Sequence, residues 1–108
     1  MTEYTLGEFE EVVMLTVAIL HEDAYTISVI QELDDRLNRK VTIGAVQTVL
    51  RRLEEKGMLQ SEFGEATSVR GGKRKRYFRL TTLGRKVLTE VKEQRMGLWR
   101  AIPKVAMR

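Results

Sequence analysis

The chain has 108 residues, 31% of them charged and 43% hydrophobic, with a formal net charge of +4 and no cysteine. That length supports one domain, or one domain with an appended helix, and a modest core that a second copy would help to cover. The lack of cysteine excludes a disulfide framework, a thiolate nucleophile and a cysteine-based zinc cluster, and leaves the redox compartment open. The opening M-T-E-Y-T-L-G-E-F-E has no basic segment ahead of a long apolar run, which argues against a secretory signal and makes the cytoplasm the expected compartment. Val12–Leu20, ended by Glu22 and Asp23, is shorter than the ~18 to 20 residues of a membrane span, so no membrane partner is expected. Charge is unevenly spread: residues 1–40 hold nine acids and three bases, residues 41–108 six acids and sixteen bases. A basic second half suits a surface for a polyanion.

Gly7 followed by Glu8, Glu10 and Glu11 reads as a helix start, with carboxylates at the positive end of the backbone dipole. Phe9, Val12, Val13, Val17 and Leu20 then repeat at helical spacing. Met14, Leu15 and Ile19 extend the apolar surface around most of the circumference, so this helix should be covered on more than one side. A polar turn follows at His21–Ala24. His21, the one histidine, has no nucleophile nearby and reads as a surface residue rather than a catalytic one. Tyr25 is expected to pack beneath the next helix, which Thr26 can cap and which Val29, Ile30, Leu33 and Leu37 should bury. Asn38, Arg39 and Lys40 loosen its end.

Val41–Gly57, V-T-I-G-A-V-Q-T-V-L-R-R-L-E-E-K-G, is the stretch around which the rest is organised. Thr42 can cap a helix and Gly57 can stop it by taking a left-handed conformation. At about 100° per residue, Val46, Val49, Leu50 and Leu53 form one side, and Gly44, Gln47, Thr48 and Arg51 the other. A solvated face is the plain reading of that second stripe. It also fits a major groove, where amides and arginines read base edges and glycine lets the backbone approach phosphate. Two short helices joined by a tight link, the second with such a stripe, fit a helix-turn-helix.

Beyond Gly57 the period changes. Leu59, Ser61 and Phe63 alternate with Gln60, Glu62 and Gly64 within a strand predicted over Met58–Ser68, and Val69–Gly72 read as a hairpin turn. The return strand begins Lys73, Arg74, Lys75, Arg76. Such a run keeps a hairpin soluble and guards its edge, but one hairpin after a groove-sized helix it also suits phosphate contacts that weaken steeply with salt. Thr81 can cap a last helix with Leu83, Val87, Leu88, Val91, Leu98 and Ile102 along one broad side, ended near Pro103 after about five turns. A helix that long outlasts the domain it leaves, so its far end needs a partner. Phe9, Val87, Val91, Leu98, Trp99 and Ile102 are the expected dimerisation residues, with Trp99 as an anchor.

Taken together, L-G-E-F-E-E-V-V at Leu6–Val13, T-I-G-A-V-Q-T-V-L-R-R-L-E-E-K-G at Thr42–Gly57 and G-G-K-R-K-R-Y-F-R-L-T at Gly71–Thr81 resemble the PadR family of bacterial transcriptional regulators, in its short form with one C-terminal helix. The resemblance covers nearly the whole chain. It implies a mainly α, winged helix-turn-helix homodimer with a small β-hairpin, an N-terminal helix and a C-terminal dimerisation helix. It also implies repression of nearby genes until an effector binds. Carried over by residue, it marks Thr42, Gly44, Gln47, Thr48 and Arg51 for the major groove and Lys73, Arg74, Lys75 and Arg76 for the wing. Two positions depart from the family pattern. Gln47 stands where a tyrosine is typical, and glutamine can pair with adenine instead; Thr26 stands where glycine usually follows the tyrosine.

The resulting expectation is a winged DNA-binding unit at 1–81 and a dimerisation helix at 82–108, acting on a palindromic double-stranded operator. One alternative is a sensor whose main event is binding a small aromatic effector at the dimer interface, with Trp99, Met96 and Phe9 lining the pocket. Another is a winged helix that binds protein and has lost DNA. No enzyme, metal or cofactor is expected, because no phosphate-binding glycine loop, metal-ligand spacing or nucleophile with a base is present. The adjacent Asp34 and Asp35 read as solubilising.

Overall fold

A computed structural model describes residues 5–64 and 74–108. Its elements run α1 (Glu8–Leu20), α2 (Thr26–Leu37), α3 (Ile43–Glu55), β1 (Leu59–Phe63), β2 (Arg76–Leu80) and α4 (Thr82–Ala101), with short 3-10 turns at His21–Asp23 and Lys104–Met107. This is the expected mainly helical winged helix-turn-helix: α2 and α3 form the motif, and β1 and β2 form an antiparallel wing base. The far part of the expected strand (65–68), the expected turn at 69–72 and Lys73 lie outside the described residues.

Apolar side chains of α1, α2 and α3 converge on one core, with Val13, Met14, Leu33, Val46, Leu50 and Leu53 essentially sealed from solvent. The α1 start is as expected: Gly7 is extended and its N–H donates to the Glu10 carboxylate at 2.9 Å. The α2 start differs. Tyr25, not Thr26, occupies the extended capping position, and Thr26 is already helical. Ser28 supplies the oxygen: its Oγ accepts from the Tyr25 N–H at 2.9 Å while its hydroxyl donates to the Asp23 carbonyl at 2.6 Å. Ser28, the third helical residue, thus ties back the amide of the residue before the helix, and no side chain caps the first-turn amides. Leu37, expected on the buried side, is 56% exposed. It is the last helical residue, and the chain turns away at Asn38 in a left-handed conformation (φ 51°).

Both ends of α3 form as their residues dictate. Thr42 Oγ1 accepts from the Ala45 N–H at 3.1 Å. Gly57, at φ +79°, lets the Met58 N–H reach back to the Leu53 carbonyl at 3.0 Å, the reversal that a left-handed glycine after a helix provides. This corner also seats α4. The Thr81 N–H donates to the Met58 carbonyl at 3.1 Å, and its hydroxyl to the Gly57 carbonyl at 2.6 Å, while Thr81 Oγ1 caps α4 by accepting from Gly84 at 3.0 Å. Gly84 passes so close that a Cβ there would collide with the Met58 carbonyl. The α3 and α4 helices are therefore fastened through one backbone junction.

The α4 helix runs 20 residues and stops at Ala101; Ile102 turns extended ahead of Pro103, as the residue before a proline prefers. Its first turns share the core of the preceding elements, with Gly84 and Val87 buried. The distal turns project, giving overall extents of 61 × 30 × 21 Å. Among the described residues, no single helix is long and apolar enough to cross a membrane.

Candidate nucleic-acid interface

The buried side of α3 holds the outer side in place. Val46, Val49, Leu50 and Leu53 are buried, so Gly44, Gln47 and Arg51 are turned outward and Thr48 is half-covered. Gly44 faces open space, with nothing within 4 Å of where a Cβ would stand. The first turn carries no acid, leaving its amides and dipole favourable to phosphate. Arg51 meets Glu55 at 4.0 Å with both side chains about 70% exposed, a loose pair of the kind worth at most about 1 kcal/mol and readily exchanged for a better acceptor. Ile43, which the stripe did not include, is 51% exposed at the first helical position. Its place one turn before Gln47 puts it on the same flank.

The wing base follows the register Leu59 with Leu80, Ser61 with Phe78 and Phe63 with Arg76. The hairpin continues one step beyond β1, where the Gly64 N–H donates to the Lys75 carbonyl at 2.8 Å. On its other edge, the Phe78 N–H donates to the Ala24 carbonyl at 2.8 Å, tying the wing to the turn before α2. Tyr25, half-buried just ahead of α2, faces the wing. Its ring meets Tyr77 edge-on with centroids 5.6 Å apart and carries the Lys75 ammonium 4.4 Å above it. The Tyr25 phenol beside Lys75 holds that ammonium above the usual lysine value.

The basic run divides. Arg74 and Lys75 are exposed just ahead of β2. Arg76 instead turns back toward α3: its Nη2 donates to Glu54 Oε1 at 3.1 Å and its Nε to Ser61 Oγ at 2.8 Å. The Ser61 hydroxyl closes the loop on Glu54 Oε2 at 2.5 Å. Nothing in the spacing of Glu54, Ser61 and Arg76 announced this triad, because the hairpin register is what brings the three together.

At the far end, α1 and α4 leave a groove of about 380 Å³ lined by Glu11, Leu15, Leu88, Thr89, Lys92, Arg95, Met96 and Trp99. Arg95 spans it with two donors to Glu11. Met96 and Trp99 thus share a pocket, but Phe9 does not join them; it packs against the core with the Arg39 guanidinium 5.0 Å above its ring. Val87 also departs from its expected place at a dimer contact, because at 1% exposure it is consumed by the core of its own subunit. Val91 is partly covered by that core. Leu98 at 70%, Trp99 at 61% and Ile102 at 37% remain open.

Residues 14–90 match the Transcriptional regulator PadR-like family. The chain belongs to that family. Among solved structures, a PadR-like transcription factor from Bacteroides fragilis superposes with a TM-score of 0.72 at 29% identity, over 85% of this chain and 84% of that one. A PadR family transcriptional regulator from Eggerthella lenta gives a TM-score of 0.70 at 31% identity, over 92% and 86%. An uncharacterised protein of Lysinibacillus sphaericus is 36% identical over 75 residues, 68% of this chain and 66% of that relative's length. As a PadR-family transcriptional regulator, the chain has a function that its family implies, DNA-binding regulation of transcription.

Proposed function

We propose that this PadR-family chain is a ligand-responsive repressor that binds a palindromic operator as a homodimer. The open stripe of α3 supports this reading most directly: Gly44 is unobstructed, Gln47 and Arg51 are exposed, and the wing cations Arg74 and Lys75 follow one hairpin later. Thr42 and Gly44 let the first turn approach phosphate. Gln47 offers a bidentate amide to adenine, Thr48 a hydroxyl, and Arg51 a fork for guanine or phosphate. Arg74 and Lys75, continued in the sequence by Lys73, neutralise phosphates and release condensed counterions. Two copies present two such helices to half-sites about 10 to 10.5 base pairs apart.

The groove between α1 and α4 supports the ligand response. Leu15, Leu88, Met96 and Trp99 give it an apolar wall, and a second subunit on the exposed distal turns of α4 would close it around a small aromatic effector. Because α4 is fastened to the end of α3 through Thr81 and Gly84, any ligand that favours one α4 arrangement also favours one spacing of the two reading helices. The test is selection of bound duplexes from a random pool at low and near-physiological salt. A palindromic motif whose half-site preference disappears in Gln47→Ala is the expected result; salt-sensitive binding without a motif defeats it. Arg51→Ala should weaken operator binding with the dimer intact, and Trp99 fluorescence should be quenched by an aromatic compound that releases the operator.

A further inference from the structure

We infer that Arg76 is a positioning residue of the wing rather than one of its phosphate contacts: clamped by Glu54 and Ser61, it sets the angle between the wing and the reading helix. The inference rests on the DNA-binding reading above and changes the role of one cation within it.

The geometry is a closed ring of three hydrogen bonds. Each Glu54 carboxylate oxygen accepts one of them, from the Arg76 fork at 3.1 Å and from the Ser61 hydroxyl at 2.5 Å, and the Ser61 oxygen accepts from Arg76 Nε at 2.8 Å. The guanidinium also lies 5.4 Å from the centroid of Phe63, its cross-strand partner, and 5.9 Å from that of Phe78. A planar fork held by a carboxylate and flanked by rings loses little further freedom, which is what distinguishes arginine from lysine in such a place.

Each member belongs to a different element. Glu54 is in the last turn of α3, Ser61 is central in β1 and Arg76 opens β2, so the ring ties both wing strands to the reading helix. Arg74, two residues nearer the tip, has no such tie among the described residues. A phosphate recruited to Arg76 would have to displace a carboxylate already paired with it, whereas Arg74 meets no such competitor among the described residues.

The experiment measures operator affinity against salt for the full-length protein and for Arg76→Gln, Arg76→Lys, Glu54→Gln and Arg74→Gln. A lost phosphate contact lowers the slope of log affinity against log salt by about 0.9, and that is the result expected for Arg74→Gln. Arg76→Gln, Arg76→Lys and Glu54→Gln should each weaken binding about tenfold, within the range for partners in one hydrogen-bonded network, with the slope unchanged. Glu54→Gln combined with Arg76→Gln should be no worse than Arg76→Gln alone. A reduced slope in Arg76→Gln, with Arg76→Lys near wild type and Glu54→Gln binding more tightly, would make Arg76 a phosphate contact and overturn the assignment.

Amide exchange provides a readout independent of DNA. Glu54→Gln and Arg76→Gln should speed exchange at the Gly64 amide, which bonds to Lys75, and leave the Val46–Leu50 segment unchanged; unaltered exchange at Gly64 also overturns the clamp. If the wild-type protein binds no duplex, the operator reading fails on that observation, and the exchange result still decides the clamp.

Discussion

The two halves of α4 carry the same kinds of residue and meet opposite surroundings. Gly84 lies against the Met58 backbone with no space for a methyl group, while Gly97, on the same helix, has nothing within 4 Å of its would-be Cβ. Val87 is sealed at 1% exposure and Leu98 stands open at 70%. The proximal half is a core element whose helix is fixed by tertiary packing. The distal half touches α1 only along one groove and leaves Leu98 and Trp99 largely open, which is the condition under which a second subunit is gained cheaply.

The largest effect should come from filling the proximal contact. Gly84→Ala forces a methyl group into the Met58 carbonyl, and separating α4 from the α3 corner should cost about 3 kcal/mol, the upper range for overpacking a tight site. Chemical denaturation measures it. A loss below about 1 kcal/mol would mean that the corner gives way easily, and the proposed coupling of α4 to the reading helix would lose its mechanical basis.

That contrast also explains what the sequence disclosed. Features governed by neighbours in the chain were legible: the Thr42 and Thr81 caps, the Gly57 stop, the buried row Val46, Val49, Leu50 and Leu53, and the break before Pro103. Features governed by distant partners were not. Val87 and Leu98 occupy equivalent places in the apolar period, and only the position of α1 and the wing decides which of them is buried. The α2 helix starts one residue earlier than a Thr26 cap would allow, with Ser28 bridging the Tyr25 amide and the Asp23 carbonyl. Arg76 turned from the cationic run because the hairpin register brought Ser61 and Glu54 beside it, and Phe9 packs against the core rather than in the groove.

The next effect belongs to the distal half. Leu98→Asp should leave dilute-monomer stability nearly unchanged, because the side chain is already solvated, and should weaken self-association by about 1.5 to 3 kcal/mol per buried leucine. Sedimentation equilibrium beside thermal unfolding separates the two quantities. Equal association in the variant would remove the distal turns from the dimer contact. A smaller effect of opposite sign is expected at the second glycine. Gly97→Ala should stabilise the dilute protein by about 0.5 to 1 kcal/mol, the cost of a glycine inside a helix, since no atom opposes the methyl group. Stabilisation when dilute that turns to loss at high concentration would show a partner packed against that position.

The smallest effect concerns a polar fastening in the proximal half. Glu10 accepts from the Gly7 N–H and from Lys56 Nζ, both at 2.9 Å, and so ties the start of α1 to the end of α3. Partial burial pushes its carboxyl up, but the hydrogen bonds from Lys56 and Gly7, with the charges of Lys56 and Arg52, outweigh it and hold the group below its ordinary value of 4.5. A carboxyl depressed in the folded state binds its proton more readily when unfolded, so its contribution is complete above the ordinary value and is lost as pH falls through the lower folded one. Unfolding free energies of wild type and Glu10→Gln, compared from pH 7 to pH 3, should therefore differ most at neutral pH and converge in acid. A gap that stays constant down to pH 3 would assign the loss to packing of the glutamate stem, and α1 would then be held to α3 by its apolar contacts alone.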